Sequence, residues 1–228
     1  SRGDDQPQSH TTLAMSLLEK TLVELQTRAS NVPKEVNTDR LAALDRVAHW
    51  IASQSSSENI DITVICTHNS RRSHLGQVWL QAAAWQYEFD NLRTWSGGTE
   101  GRAVYPSAAE ALRTQGVKLS QNTDRENPIY RIQLQSGTPP FDVFSKRYSH
   151  PSNPQNGFGA ILVCSEADEA CPIVSGAAAR FSLPYLDPKI SDGKAEESRI
   201  YQERSLEIGA EMFYIVQHAR AILTTTQP

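Results

Sequence analysis

The chain has 228 residues, of which 39% are hydrophobic and 21% are charged, and its formal net charge is −4. This length and composition allow a substantial buried core, and the weak negative charge argues against nucleic-acid binding as a main function. No apolar run approaches the roughly 20 residues of a membrane span, and the sequence as given carries no secretory signal. No association with a membrane is therefore expected.

The first part of the chain is predicted to be an addition to the core. Residues 1–10 are polar and predict a disordered tail. Within the segment 11–58, apolar residues recur at helical spacing over 13–25 and over 41–51. Pro33, between the two patterns, predicts a helix start near Lys34. We expect this N-terminal helical extension to cover a face of the core; partner binding or dimerisation is the alternative role.

The most informative segment follows the apolar run 60–65, which predicts a buried strand, and precedes an apolar-periodic helix. A loop at such a helix start suits a phosphate-like oxyanion, because unpaired backbone N–H groups and the helix dipole favour negative charge there. The same field favours the thiolate form of Cys66. The planar guanidinium of Arg72 can grip two oxygens of a tetrahedral anion. The sequence thus predicts a nucleophile and its anion clamp in one segment.

The residues after Cys66 are the candidate oxyanion-binding set, which consists of Thr67, His68, Asn69, Ser70, Arg71, Arg72 and Ser73. Within it, Asn69 is expected to hold the loop through side-chain hydrogen bonds, and Ser73 to cap the helix or to stabilise the thiolate. His68 brings a Cβ to a loop where close approach or a positive φ is expected. Arg71 is expected to face solvent, with a wider anion-attracting field as the alternative.

The apolar runs at 92–95 and 159–163 alternate with helical patterns, and a last helix is predicted over about 195–223. This order predicts an α/β fold with a doubly wound parallel four-stranded sheet flanked by helices. An insertion at about 127–157 is rich in Pro, Ser and Asn, and Phe141, Phe144 and Tyr148 are spaced like one face of a short helix. A surface loop is its expected role, and a lid over the oxyanion pocket is the alternative.

The loop at 66–73 resembles that of the low-molecular-weight protein tyrosine phosphatases and their relatives, the thioredoxin-coupled arsenate reductases. Both use a cysteine, five residues, an arginine and then Ser or Thr, with Asn third after the cysteine. Residues 95–100 and 105–117 are similar to the family's second strand and following helix, and Asp187 and Pro188 stand where the family carries its catalytic Asp-Pro loop. The resemblance implies a flavodoxin-like catalytic domain over 59–228, with Asp187 as the general acid.

The cysteines distinguish the two branches. The chain has three, Cys66, Cys164 and Cys171, which suit no closed disulfide framework. Residues 164–172 resemble the redox segment of the arsenate reductases, whose two cysteines have this spacing, whereas ordinary tyrosine phosphatases lack the pair. The resemblance implies that Cys66 attacks arsenate and Cys164 attacks the thiol–arsenic adduct. Cys171 then forms a disulfide with Cys164, which thioredoxin reduces.

Other interpretations stay open. Cys164, at the end of an apolar run, can be a core residue, and Cys171 can be an inert thiol. No C-x-x-C pair supports a zinc site, and Gln77 stands where some relatives carry a glutamate for potassium, so no bound metal or cofactor is expected. The favoured function is a cytoplasmic arsenate reductase. The alternatives are a low-molecular-weight phosphatase acting through a cysteinyl-phosphate, and a non-catalytic oxyanion or redox sensor.

Overall fold

The computed structural model describes residues 14–123 and 126–226. The predicted tail at 1–10 lies outside this part of the chain. The helices are α1 (Leu17–Glu35), α2 (Thr38–Ser53), α3 (Arg72–Gln86), α4 (Pro106–Thr114), α5 (Ser165–Ala170) and α6 (Glu197–Thr225), with a 3-10 helix at Pro188–Ser191. The strands are β1 (Ile60–Cys66), β2 (Leu92–Gly98), β3 (Lys118–Gln121), β4 (Tyr130–Gln133), β5 (Phe141–Val143), β6 (Phe158–Leu162) and β7 (Ala177–Ser182).

The central sheet has four parallel strands in the order β2-β1-β6-β7. The predicted doubly wound fold is therefore confirmed. Every residue of β6 is buried, and Asp61 alone in β1 is not. Helices cover both faces of a parallel sheet, so its inner strands read as continuous apolar runs. β7 is only partly buried, and its apolar pattern is correspondingly weak.

The two N-terminal helices pack on α6 and share one hydrophobic core with the sheet. The predicted helix start near Lys34 is wrong, because α1 continues through Pro33 to Glu35. Pro33 removes one bond, from its own missing N–H to the carbonyl of Ala29, and the helix ends two residues later. The start of α2 is fixed instead by Asn37, whose side chain accepts a 2.8 Å hydrogen bond from the backbone of Arg40.

The predicted short helix carrying Phe141, Phe144 and Tyr148 is also wrong. Phe141 begins β5, which joins β3 and β4 in a small antiparallel sheet. The Phe141 ring packs edge-on against Trp85 of α3, with ring centroids 6.1 Å apart. Strands of three or four residues are too short for their alternation to be distinguished from helical spacing.

The insertion reaches the carboxyl end of the strands of the central sheet. Gly98 at the end of β2 donates its N–H to the carbonyl of Lys146, and its own carbonyl accepts from Tyr148. A Cβ on Gly97 would lie 2.3 Å from the Tyr148 Cα, so only glycine permits this approach. The segment around Lys146 is therefore bonded to β2, the neighbour of the strand that ends at Cys66.

The central sheet has two edge strands, β2 and β7. Side chains of α3 bond the outer side of β2. The carboxamide of Gln81 on α3 bonds the carbonyl of Leu92 and the N–H of Thr94, and Gln77 donates to the Thr94 carbonyl. In the residues that the structure covers, no helix is long and apolar enough to pass through a bilayer.

Candidate active site

The predicted loop lies at the carboxyl end of β1. Cys66 is the last residue of the strand and Arg72 is the first of α3, so residues 67–71 form the turn between them. A cavity of about 200 Å³ opens above this turn. It is lined by Cys66, Thr67, His68, Ser70, Arg71, Arg72, Glu166, Asp187 and Lys189. Glu166 and Lys189 were not predicted, although each lies two positions after a candidate catalytic residue.

Ser73 is placed to support the thiol of Cys66. Its Oγ lies 3.0 Å from the Cys66 Sγ and 2.7 Å from the Nδ2 of Asn69. Because the amide donates to the hydroxyl oxygen, the hydroxyl proton is free to point at the sulfur. A donor in this position stabilises a thiolate. The helix-capping role is not supported, since the cap residue of α3 is Arg71 and it has no side-chain cap bond.

The strained residue of the loop is Asn69, whose φ is 48°. Asparagine adopts this left-handed conformation more readily than most residues. Its Oδ1 accepts a 2.9 Å hydrogen bond from the N–H of Lys146. The expectation of positive φ at His68 is therefore wrong, because among described non-glycine residues only Asn69 and Glu88 have it. The His68 imidazole instead contacts Glu100 at 2.9 Å.

The buried imidazole of His74 bonds to the backbone of the loop, and this role was not predicted from the sequence. Its Nε2 lies 2.7 Å from the Asn69 carbonyl and its Nδ1 lies 3.2 Å from the Ser96 hydroxyl. Burial, together with the charge of nearby Lys146, lowers the pKa of His74 to about 3. The ring is therefore neutral near pH 7, so Nε2 carries the proton and Nδ1 accepts. Burial also lowers the pKa of Lys146 to about 8.

Arg72 joins the loop to the segment that carries Asp187. Its Nη1 donates to the Tyr185 carbonyl at 2.8 Å and its Nη2 lies 3.2 Å from the Asp187 Oδ2. Asp187 precedes the 3-10 helix, and its other oxygen accepts from the backbone of Lys189. The thiol of Cys66, the guanidinium of Arg72 and the carboxyl of Asp187 thus line one cavity, an arrangement that can act on a tetrahedral anion.

Arg71 does not face solvent, which corrects the expectation for it. Its guanidinium donates to the Tyr201 hydroxyl and to Asp192, both at 2.7 Å. It also lies over the ring of Tyr105, 4.2 Å from the centroid. Burial opposes the charged form, but the hydrogen bond that the guanidinium donates to Tyr201 leads the contacts that raise the pKa of Arg71 above its usual value. These contacts tie the loop to α4 and α6.

We expect Arg71→Met to lower the free energy of unfolding by about 2–3 kcal/mol, since two hydrogen bonds and a cation–π contact are lost. Phosphate affinity should change less than about threefold, because these contacts already occupy the guanidinium. Urea unfolding and inhibition by phosphate measure the two effects. Arg199→Met, which removes an exposed ion pair on α6, is the control. A large loss of phosphate affinity without a loss of stability would show that Arg71 is an anion ligand.

The two other cysteines lie at opposite ends of α5. Cys164 is fully buried, and its Sγ lies 3.3 Å from the Thr67 Oγ1 of the loop and 3.3 Å from the N–H of Ala167. Cys171 follows the last helical residue and is partly exposed. All three cysteines are free thiols. The fold therefore brings Cys164 next to the loop at 67–71, while Cys171 lies at the other end of α5.

No group of His, Cys, Asp and Glu side chains suited to a metal ion occurs within residues 14–123 and 126–226. Gln77 uses its Nε2 to bond the carbonyl of Thr94 at 3.1 Å. A carboxamide cannot supply the charge of the glutamate that it replaces.

Comparison with known proteins finds arsenate reductases that are similar to this chain, although no family model matches it. Arsenate reductase from Bacillus subtilis is 25% identical over 147 residues, which cover 64% of this chain and 87% of that protein. Arsenate reductase 2 from Staphylococcus epidermidis is 26% identical over 127 residues, covering 56% and 77%. These similarities support, for this chain, the superfamily of the low-molecular-weight protein tyrosine phosphatases and thioredoxin-coupled arsenate reductases.

Among solved structures of this superfamily, a thioredoxin-dependent arsenate reductase from Corynebacterium glutamicum superposes with a TM-score of 0.38 at 17% identity. The superposition covers 92% of this chain and 86% of that one.

Proposed function

We propose that this protein is an arsenate reductase in which Cys66, Cys164 and Cys171 act in turn and thioredoxin is the external reductant. The observation that carries the proposal is the position of Cys164, a fully buried free thiol whose Sγ contacts Thr67, the residue after Cys66. Hydrolysis of a phosphate ester needs no second thiol beside the nucleophile. A reduction that ends in a disulfide does.

The first step forms a sulfur–arsenic bond. Arsenate binds between the loop backbone and Arg72, and the Cys66 thiolate attacks arsenic, with Ser73 donating to the sulfur beforehand. The bond from arsenic to one hydroxyl group breaks, and that hydroxyl takes a proton from Asp187, which lines the same cavity as Cys66, and leaves as water. The products are a Cys66–arsenic(V) adduct and water.

The second step transfers the electrons. The Cys164 thiolate attacks the Cys66 Sγ, and a sulfur–sulfur bond forms as the sulfur–arsenic bond breaks. The bonding pair goes to arsenic, which leaves as arsenite. One arsenate and two thiols thus give one arsenite, one water and one disulfide. Thr67, which contacts the Cys164 sulfur, holds it on the loop side of β6.

The third step requires a change in α5. Cys171 must attack the Cys164 Sγ and release Cys66 as a thiolate. The two residues are seven positions apart across a helix, and a rise of about 1.5 Å per residue separates their Cα atoms by roughly 10 Å. A disulfide needs less than about 7 Å. The segment must therefore unwind before the Cys164–Cys171 disulfide can form, and the partly exposed Cys171 then presents it to thioredoxin.

Cys171→Ser tests this sequence. With thioredoxin, thioredoxin reductase and NADPH, the variant should stop after about one turnover, because the Cys66–Cys164 disulfide cannot be resolved. Mass spectrometry of the quenched reaction should find these two cysteines joined. Phosphate-ester hydrolysis should survive the change. Repeated arsenate turnover by Cys171→Ser, with thioredoxin as the sole reductant, would remove Cys171 from the mechanism.

The second candidate is a low-molecular-weight phosphatase. It is favoured by the 3.2 Å contact between Arg72 and Asp187, which places an anion clamp and an acid together as a cysteinyl-phosphate mechanism requires. Hydrolysis of p-nitrophenyl phosphate in the absence of arsenate turnover would favour it over the reductase.

A further inference from the structure

The C-terminal end of α5 is fastened to β7 by one side chain, Arg180. Its Nε donates to the carbonyl of Cys171 at 3.0 Å. Its Nη2 donates to the carbonyl of Asp168 at 2.8 Å and to the Asp168 Oδ1 at 2.6 Å. The second carboxylate oxygen of Asp168 accepts from Ser182, also on β7. One guanidinium therefore binds the helix end, its carboxylate and the backbone of the third cysteine.

These contacts belong to the reduced, helical form of the segment. Cys171 donates its N–H to the Ala167 carbonyl while its own carbonyl is held by Arg180. For Cys171 to reach Cys164, this end of the helix must move by several ångströms. A carbonyl that moves so far cannot keep a 3.0 Å bond to a residue fixed in a strand. The contacts of Arg180 thus stabilise the dithiol form and are lost in the disulfide form.

We propose that Arg180 is a latch that holds the redox segment closed and sets the reduction potential of the Cys164–Cys171 pair. The proposal rests on the proposed reductase function. By stabilising only the dithiol, the latch makes the disulfide easier to reduce, which favours the step in which thioredoxin regenerates the enzyme. It also holds Cys171 at the far end of α5 from Cys164 in the dithiol form. Arg180 acts through the segment and is a positioning residue.

The test is the equilibrium between dithiol and disulfide in buffers of reduced and oxidised dithiothreitol. It uses Cys66→Ser as the parent, so that Cys164 and Cys171 alone exchange. Free thiols are alkylated with iodoacetamide, and mass spectrometry of the intact protein then gives the oxidised fraction. Arg180→Met should shift the equilibrium constant about tenfold towards the disulfide, which makes the potential about 30 mV more negative.

Two further variants keep the test valid if Arg180→Met does not fold. Arg180→Lys retains the charge but cannot bind both carbonyls, so it should shift the constant in the same direction by a smaller factor. Asp168→Asn retains the shape and removes the charge of the partner, with the same expected direction. Arg131→Met is the matched control, because it removes an ion pair to Asp142 in the small sheet, away from the cysteines.

The outcomes are distinct. If the Cys66→Ser parent forms no Cys164–Cys171 disulfide in any buffer, the third step of the proposed function fails, and the latch fails with it. If the disulfide forms but the constants of the folded Arg180 and Asp168 variants stay within about twofold of the parent, or about 9 mV, the latch alone is overturned. A shift equal to that of Arg131→Met would also overturn it.

Discussion

Cys66→Ser should lose arsenate reduction and phosphate-ester hydrolysis together, each by roughly 10⁴-fold or more, as expected when the nucleophile of a covalent mechanism is removed. A serine hydroxyl in this position is a far weaker nucleophile than the sulfur of a cysteine. Coupled NADPH oxidation and p-nitrophenol release measure the two activities. Cys164→Ser is the matched control, because it should abolish only arsenate turnover.

Alkylation adds a readout that does not need turnover. Cys171 is partly exposed and Cys66 is only 5% exposed, so accessibility alone predicts that Cys171 reacts first. We expect the reverse at neutral pH, because iodoacetamide reacts with thiolates. Phosphate or arsenate should protect Cys66. Equal labelling of all cysteines, unaffected by oxyanion, would rule out an anion site at this loop.

Asp187→Asn should slow the step that expels hydroxide or alkoxide by roughly 10²–10⁴-fold, as expected when a positioned acid is lost. Asparagine retains the shape and the hydrogen bond from Lys189 but cannot donate an acidic proton. Affinity for the ground-state oxyanion should change much less, because a carboxylate near a bound anion repels it. Arsenate turnover and inhibition by phosphate measure the two effects.

A series of phosphate esters makes this prediction specific. An activated phenol needs little proton donation and should be the least affected substrate, whereas a poor leaving group should be the most affected. Asp187→Glu, which retains an acid on a longer side chain, is the control. A uniform loss across the series would mean that Asp187 only shapes the turn before Pro188.

The nucleophile loop could be predicted because its information is local. A strand end, a cysteine, an arginine at a fixed offset and a helix start lie in one segment, and parallel strands have uninterrupted apolar runs. The contacts that hold the loop could not be predicted. In the sequence, His74 is one of several polar residues of α3. Its role depends on the carbonyl of Asn69 and the hydroxyl of Ser96.

The insertion was the least predictable part for the same reason. Lys146 supports the loop through its backbone N–H, and any residue type other than proline has that group. Phe141 packs against Trp85, which is far away in sequence. Arg71 looked like an extra charge, because its partners Tyr201 and Asp192 come from the other end of the chain. Positions defined by distant partners leave no periodic signal in the sequence.

The way in which the edge strand β2 is bonded has a consequence for self-association. An uncovered edge strand offers a row of N–H and C=O groups on which a second molecule can add its own strand, and this is a common start of fibre growth. Along β2 those groups are already used by side chains and backbone from α3 and the insertion. The bonds come from Gln81 to Leu92 and Thr94, from Gln77 to Thr94, from Asn153 to Ser96, and between Gly98 and both Lys146 and Tyr148. These bonds leave a neighbouring molecule no continuous template along β2.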